Sequence, residues 1–260
     1  MISSARLFAA AEIVAANVAY DVSNPDEYSL ARCKLDVYAP KDKKDLPVIV
    51  WFHGGGITSG DKSGFPKEIL KSDILFVSVN YRLSPKINAK FAIEDAADAI
   101  AWTFKNIEKY GGNKTRIYVG GHSAGAYLSG MVGANPNLLK SRGLSNESIA
   151  GMLLVSGQMT SHFQVRKDEG DMRAQFAPRI DQNAILWYVE NKMPPILLIL
   201  GDRRFEFKER VEENLLFAAT VNTLKTSSQV EFYELQGYNH SSVVEAAPRL
   251  MMNFINKQKK

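Results

Sequence analysis

The chain has 260 residues, 45% of them hydrophobic and 23% charged, an ordinary balance for a globular protein and unlike that of a disordered one. Its formal net charge of +4 comes from scattered lysines and arginines and a short Lys257-Gln258-Lys259-Lys260 run. No basic stripe interleaves with aromatics, so no nucleic-acid partner is expected.

Cys33 is the only cysteine, which excludes an intrachain disulfide and fits a reducing compartment such as the cytoplasm. The four histidines, His53, His122, His162 and His240, lack metal-ligand spacing, and no metal is expected. Near the start, Arg6 precedes Leu7-Phe8-Ala9-Ala10-Ala11, and Glu12 interrupts the apolar run. The glutamate argues against a secretory core, and a helix within 1–19 is the reading. No stretch approaches the roughly 18 apolar residues of a membrane-spanning helix.

Strands are expected at 17–22 and 33–38, separated by a polar turn around Asn24-Pro25-Asp26 and paired as an antiparallel edge. The apolar run 47–52 is a strand that leads into three glycines. A short helix over 66–71 and a buried strand over 74–79 follow. Residues 91–110 carry apolar side chains at helical spacing and end at Gly111-Gly112. Strands are read again at 116–119, 149–156, 195–200 and 229–235, with helices from 126, over 206–224 and over 243–255. Strands alternating with helices imply an α/β fold: a mostly parallel, doubly covered sheet with an antiparallel N-terminal edge. With no repeat or linker, 1–260 reads as one domain. The interval 157–193 is either a small lid over a site or a helix and its connections packed on the sheet.

Two motifs carry chemistry. Gly121-His122-Ser123-Ala124-Gly125 lies between a strand and a helix, the context of a nucleophile elbow. A serine on so tight a turn is pushed out at the sheet edge, and the helix behind it points its N-terminal amides at a developing oxyanion. Upstream, His53-Gly54-Gly55-Gly56 follows the 47–52 strand, and its glycines allow the backbone to turn N–H groups toward a ligand.

With Asn80-Tyr81-Arg82-Leu83-Ser84-Pro85, these motifs resemble those of the α/β-hydrolase-fold carboxylesterases of the hormone-sensitive-lipase-like and arylformamidase-like groups. The resemblance runs over about 35–240. It implies Ser123 as nucleophile, an oxyanion hole from the amides of Gly54 or Gly55 and of Ala124, and an acid and a histidine following the serine in that order. His240, in a loop between the last strand and the last helix, is the expected base. Relatives place an aspartate three residues past the glycine that closes the 195–200 strand, but that position here is Arg204. Asp202 is the choice for the acid, with Glu206 next.

The implied reaction is hydrolysis of small to medium acyl esters through an acyl-enzyme, with no cofactor and a small-molecule ester as the only implied ligand. Arylformamidase or amidase activity and a non-catalytic ligand-binding pseudo-hydrolase are the alternatives, the last resting on Arg204. Monomer and homodimer both stay open.

Overall fold

The computed structural model describes residues 10–23 and 25–258. In chain order the elements are β1 (Glu12–Ala19), α1 (Glu27–Arg32), β2 (Lys34–Ala39), β3 (Leu46–Phe52), β4 (Leu75–Val79), α2 (Phe91–Asn106), β5 (Gly112–His122), α3 (Ala124–Ala134), α4 (Pro136–Lys140), β6 (Gly151–Val155), α5 (Phe163–Asp168), β7 (Ile196–Gly201), α6 (Lys208–Leu224), β8 (Val230–Leu235) and α7 (Val243–Lys257). The strands form one eight-stranded sheet in the order β1-β2-β4-β3-β5-β6-β7-β8. β2 pairs antiparallel with both β1 and β4, and every pairing from β4 to β8 is parallel. This is the mostly parallel sheet with an antiparallel N-terminal edge that the alternation of elements implied, and the α/β-hydrolase fold that the family resemblance implied.

Period-two alternation explains the two-sided cover. Along β3, Val48, Val50 and Phe52 face the core that takes in Ala96 and Ile100 of α2, Leu128 and Val132 of α3, and Phe217 of α6. Ile49 and Trp51 face the opposite core, with Met251 and Phe254 of α7. All seven β3 residues are buried, so the strand ends deep in the sheet and delivers His53 and the glycine loop to its carboxyl edge. β5 runs beside it in register, Phe52 opposite Gly121, and brings the serine turn to the same edge.

The N-terminal expectation is corrected. Residues 12–16, read within a helix, join 17–19, read as a strand, to form β1, which pairs antiparallel with β2 as expected; residues 1–9 and Asn24 lie outside the described residues. Ala15 and Ala16 favour a helix intrinsically, but pairing with the open edge of β2 satisfies the backbone and overrides a weak propensity. The polar turn expected before β2 also contains a helix, α1. Asp26 caps it by accepting from the Ser29 amide at 2.6 Å, while the Ser29 hydroxyl accepts from the Asp26 amide at 2.8 Å.

The turn after β5 leaves no room for side chains. A Cβ on Gly125 would sit 1.9 Å from the Phe52 carbonyl oxygen, and one on Gly121 would sit 2.4 Å from the Gly125 carbonyl carbon. Both contacts are with backbone, which cannot swing away. Gly125→Ala is therefore expected to lower stability by more than about 3 kcal/mol. Gly143→Ala, at a positive φ of 72° but with nothing within 4 Å, should cost only about 1 kcal/mol. Urea denaturation of the two variants checks the contrast, and equal losses would contradict the packing argument.

Candidate active site

Ser123 adopts φ 55° and ψ −116°, a conformation that L-residues rarely take. The turn is held from both sides: the Ser123 amide donates to the Val155 carbonyl of β6 at 2.8 Å, and its carbonyl accepts from Tyr127 in the first turn of α3 at 3.0 Å. With the main chain so fixed, the hydroxyl reaches across the sheet edge and donates to Nε2 of His240 at 2.9 Å.

His240 Nδ1 donates in turn to Oε1 of Glu206 at 2.7 Å. Glu206 Oε1 also accepts from the Phe207 amide at 2.9 Å, and Oε2 accepts from the Ser156 hydroxyl. Burial alone would raise the carboxyl's pKa. The hydrogen bonds from His240, Ser156 and the Phe207 amide outweigh it and hold the pKa at about 2, so the group stays ionised.

Asp202, expected as the acid, does not fill that place. Its Oδ1 accepts from the Arg204 amide at 3.0 Å and from Arg204 Nε at 2.9 Å, while Oδ2 accepts from the Gly237 amide at 2.9 Å. The paired Arg204 guanidinium and these amides hold Asp202 well below the usual carboxylate range. Its short side chain is spent on ties between the loop after β7 and the loop that carries His240. The Asp202 amide donates to the Tyr238 carbonyl at 2.7 Å and its carbonyl accepts from Glu206 at 2.8 Å. The carboxylate facing His240 is thus four residues further along, one helical turn past Asp202 and just ahead of α6.

The glycine loop is fixed by His53. That ring is 2% exposed, stacks on Tyr81 at 4.4 Å between centroids, donates from Nδ1 to the Gly54 carbonyl at 2.6 Å and accepts at Nε2 from Arg32 at 3.2 Å. In a trans peptide, tying down the Gly54 carbonyl turns the Gly55 N–H to the opposite side. A Cβ built on Gly54 would lie 3.5 Å from the Ser123 Cβ, so the loop abuts the serine. Among the described residues, none accepts from the amides of Gly54, Gly55 or Ala124. Ala124 opens α3, where a helix presents its unpaired N–H groups.

His122 supports the site from behind: its Nε2 donates to the His240 carbonyl at 2.7 Å and so anchors the base's own backbone. His162 lies buried between Tyr127 and Phe163, its titration driven far down by burial. Ser156 carries no sequence signal, since only the fold brings the end of β6 against Glu206. Among the described residues, no group of three or more His, Cys, Asp or Glu side chains is placed to hold a metal ion. Among the described residues, no helix is long and apolar enough to cross a membrane.

Comparison with known proteins gives the family and the fold. The family model described as BD-FAE matches residues 35–167, just over half of the chain and the part that holds the glycine loop and the serine turn. The chain belongs to the BD-FAE family. This BD-FAE chain is 26% identical over 239 residues to the probable isoprenylcysteine alpha-carbonyl methylesterase ICMEL1 of Arabidopsis thaliana, covering 82% of the chain and 49% of that protein. It spans half or less of the length of the curated relatives it matches.

Among solved structures, an esterase of Pyrobaculum calidifontis superposes with a TM-score of 0.71 at 21% identity, over 96% of this chain and 86% of that one. Thermogutta terrifontis esterase 2, phosphonylated by cyclosarin, gives 0.75 at 18% identity over 95% and 96%. These structures share the α/β-hydrolase fold with the BD-FAE chain.

Two of its neutral histidines make stability pH-dependent. Burial pushes His53 down to about 4, and burial together with the neighbouring His240 does the same to His122. Each ring stays neutral in the folded protein while the unfolded chain protonates near 6.5. Stability is therefore lost as pH falls from about 6.5 toward 4, by about 3 kcal/mol per histidine. Urea midpoints measured across this range should fall steadily, whereas a flat profile would contradict buried neutral rings.

Proposed function

We propose that the protein is a carboxylesterase-type serine hydrolase that cleaves small to medium esters through an acyl-enzyme on Ser123. The observation that carries this reading is the unbroken line from the Ser123 hydroxyl through His240 to the ionised Glu206. A serine hydroxyl is a weak nucleophile at neutral pH and needs a base within hydrogen-bond reach, itself oriented by a third group.

The steps follow from the geometry. His240 Nε2 takes the hydroxyl proton as Ser123 Oγ bonds to the ester carbonyl carbon. The carbonyl oxygen becomes an oxyanion, held by the amides of Gly55 or Gly54 and of Ala124, with roughly 3 kcal/mol lost for each donor removed. Glu206 fixes the imidazole tautomer and stabilises the imidazolium. The proton then passes from Nε2 to the departing alkoxide, which leaves as the alcohol. Water attacks the acyl-serine along the same path, with His240 as base, and releases the acid. Every step uses side chains and amides already in place.

The relatives named above include esterases, and one structural neighbour is phosphonylated by cyclosarin, which is consistent with an acylatable nucleophile here. The segment 157–193, with α5 and the aromatic rings around it, would serve as a small lid over this edge of the sheet.

Stopped-flow hydrolysis of p-nitrophenyl acetate tests the assignments. Ser123→Ala should abolish the burst and cut kcat by on the order of 10⁶-fold. Glu206→Gln should cost on the order of 10⁴-fold. Asp202→Asn, which only loosens loop ties, should cost less than about tenfold. No turnover by the wild type above the Ser123→Ala background would sink the esterase reading. Collapse with Asp202→Asn and not Glu206→Gln would reverse the choice of acid.

A further inference from the structure

A row of rings leads away from the base. Phe207 lies 4.7 Å from the His240 ring, Phe176 lies 4.7 Å from Phe207, and Phe163 lies 5.8 Å from Phe176. Phe163 in turn closes over the glycine loop, where a Cβ on Gly56 would come within 3.2 Å of its ring. Beyond Phe176 a groove of about 490 Å³ opens between the 176–186 segment and α6, a volume within the range of small-molecule sites.

Its walls are Phe176, Pro178, Ile180, Leu186 and Leu216, with the exposed Lys208, Glu209 and Glu212 beside them. Glu213, at its inner end, is satisfied by the Thr160 hydroxyl at 2.7 Å and amide at 3.0 Å. Ile180 and Leu216 are 49% and 53% exposed, so the groove is open to an incoming chain.

We propose that this groove binds the hydrophobic alcohol portion of the ester, a medium-length alkyl chain on the leaving group. The assignment rests on the serine-esterase reading. It follows from which end of the ring wall the groove adjoins. The leaving oxygen receives its proton from His240 Nε2, so the alcohol lies on the His240 side when the bond breaks, and Phe207 is the ring beside His240 that leads to Phe176 and the groove. A chain carried on the leaving oxygen passes along Phe207 and exchanges water for the apolar walls. Its tail is apolar, to match the walls of Phe176, Pro178, Ile180, Leu186 and Leu216.

The test separates the two ends of the ester. Ethyl acetate and octyl acetate form the same acyl-enzyme, so the ratio of their kcat/KM values isolates the alcohol. Ethyl octanoate reports the acyl side. The wild type should prefer octyl over ethyl acetate by at least tenfold, against roughly fourfold per methylene for complete burial. Leu216→Glu and Ile180→Glu should each cut that ratio by roughly tenfold and leave the ethyl octanoate to ethyl acetate ratio in place. Met172→Glu, on an 81% exposed side chain outside the groove, should change neither ratio.

Calorimetry on the Ser123→Ala protein gives a readout free of turnover: octyl acetate should bind more tightly than ethyl octanoate, and Leu216→Glu should remove the difference. A chain-length effect confined to the acyl side, or octyl acetate binding untouched by both glutamate variants, would overturn the proposal. No hydrolysis of ethyl acetate would instead count against the esterase reading, with the binding comparison still deciding the groove.

Discussion

A carboxylate taken out of water costs several kcal/mol unless its oxygens are paired, and the arrangement around Glu206 answers that cost. One oxygen faces His240 and the Phe207 amide, the other the Ser156 hydroxyl. Because the charge is stabilised only while those donors converge, β6, the loop after β7 and the loop after β8 are pinned to one another. The imidazole is held in one tautomer as a consequence, Nδ1 protonated toward Glu206 and Nε2 free to take the serine proton. Removing the carboxylate would leave His240 free to turn, and the serine would lose its base.

The sheet makes that convergence possible. β3, β5, β6, β7 and β8 are parallel, so their carboxyl ends share one edge, and each delivers part of the site: the glycine loop, Ser123, Ser156, Glu206 and His240. Two close backbone approaches set the spacing. Gly125 packs against the end of β3, where any Cβ would strike Phe52, and Gly201 packs against Tyr238, where a Cβ would lie 2.6 Å from the carbonyl oxygen. The histidines outside the proton path act as structural pins. His53 orients the Gly54 peptide, and His122 holds the main chain of His240. Burial keeps both rings neutral down to about pH 4.

Much of this was legible in the chain. The serine turn and the glycine loop are local: their residue types, spacing and flanking strands are set within a few positions of each other. His240 could be chosen from chain order and from its loop between the last strand and last helix. The acid could not, because which carboxylate meets His240 depends on how two loops cross in space. Asp202 is nearer the strand end, yet Arg204 and the Gly237 amide capture it, and the longer side chain of Glu206 spans the remaining gap. The first half of β1 was hidden for a related reason: Ala15 and Ala16 masked the β-branched Ile13 and Val14, and only the unpaired edge of β2 extends the strand back to Glu12. Ser156 and the ring wall from Phe163 to Phe207 left no mark either, since residues far apart in sequence meet there only after the fold closes.

Glu206, and not Asp202, holds His240 toward Ser123, and proton NMR of the resting protein at low temperature puts this to the test. A proton shared between imidazole Nδ1 and a buried carboxylate resonates far downfield and is shielded from rapid exchange. That signal should be present in the wild type, disappear in His240→Ala and Glu206→Gln, and persist in Asp202→Asn. A signal that survives Glu206→Gln but is lost in Asp202→Asn would contradict the account.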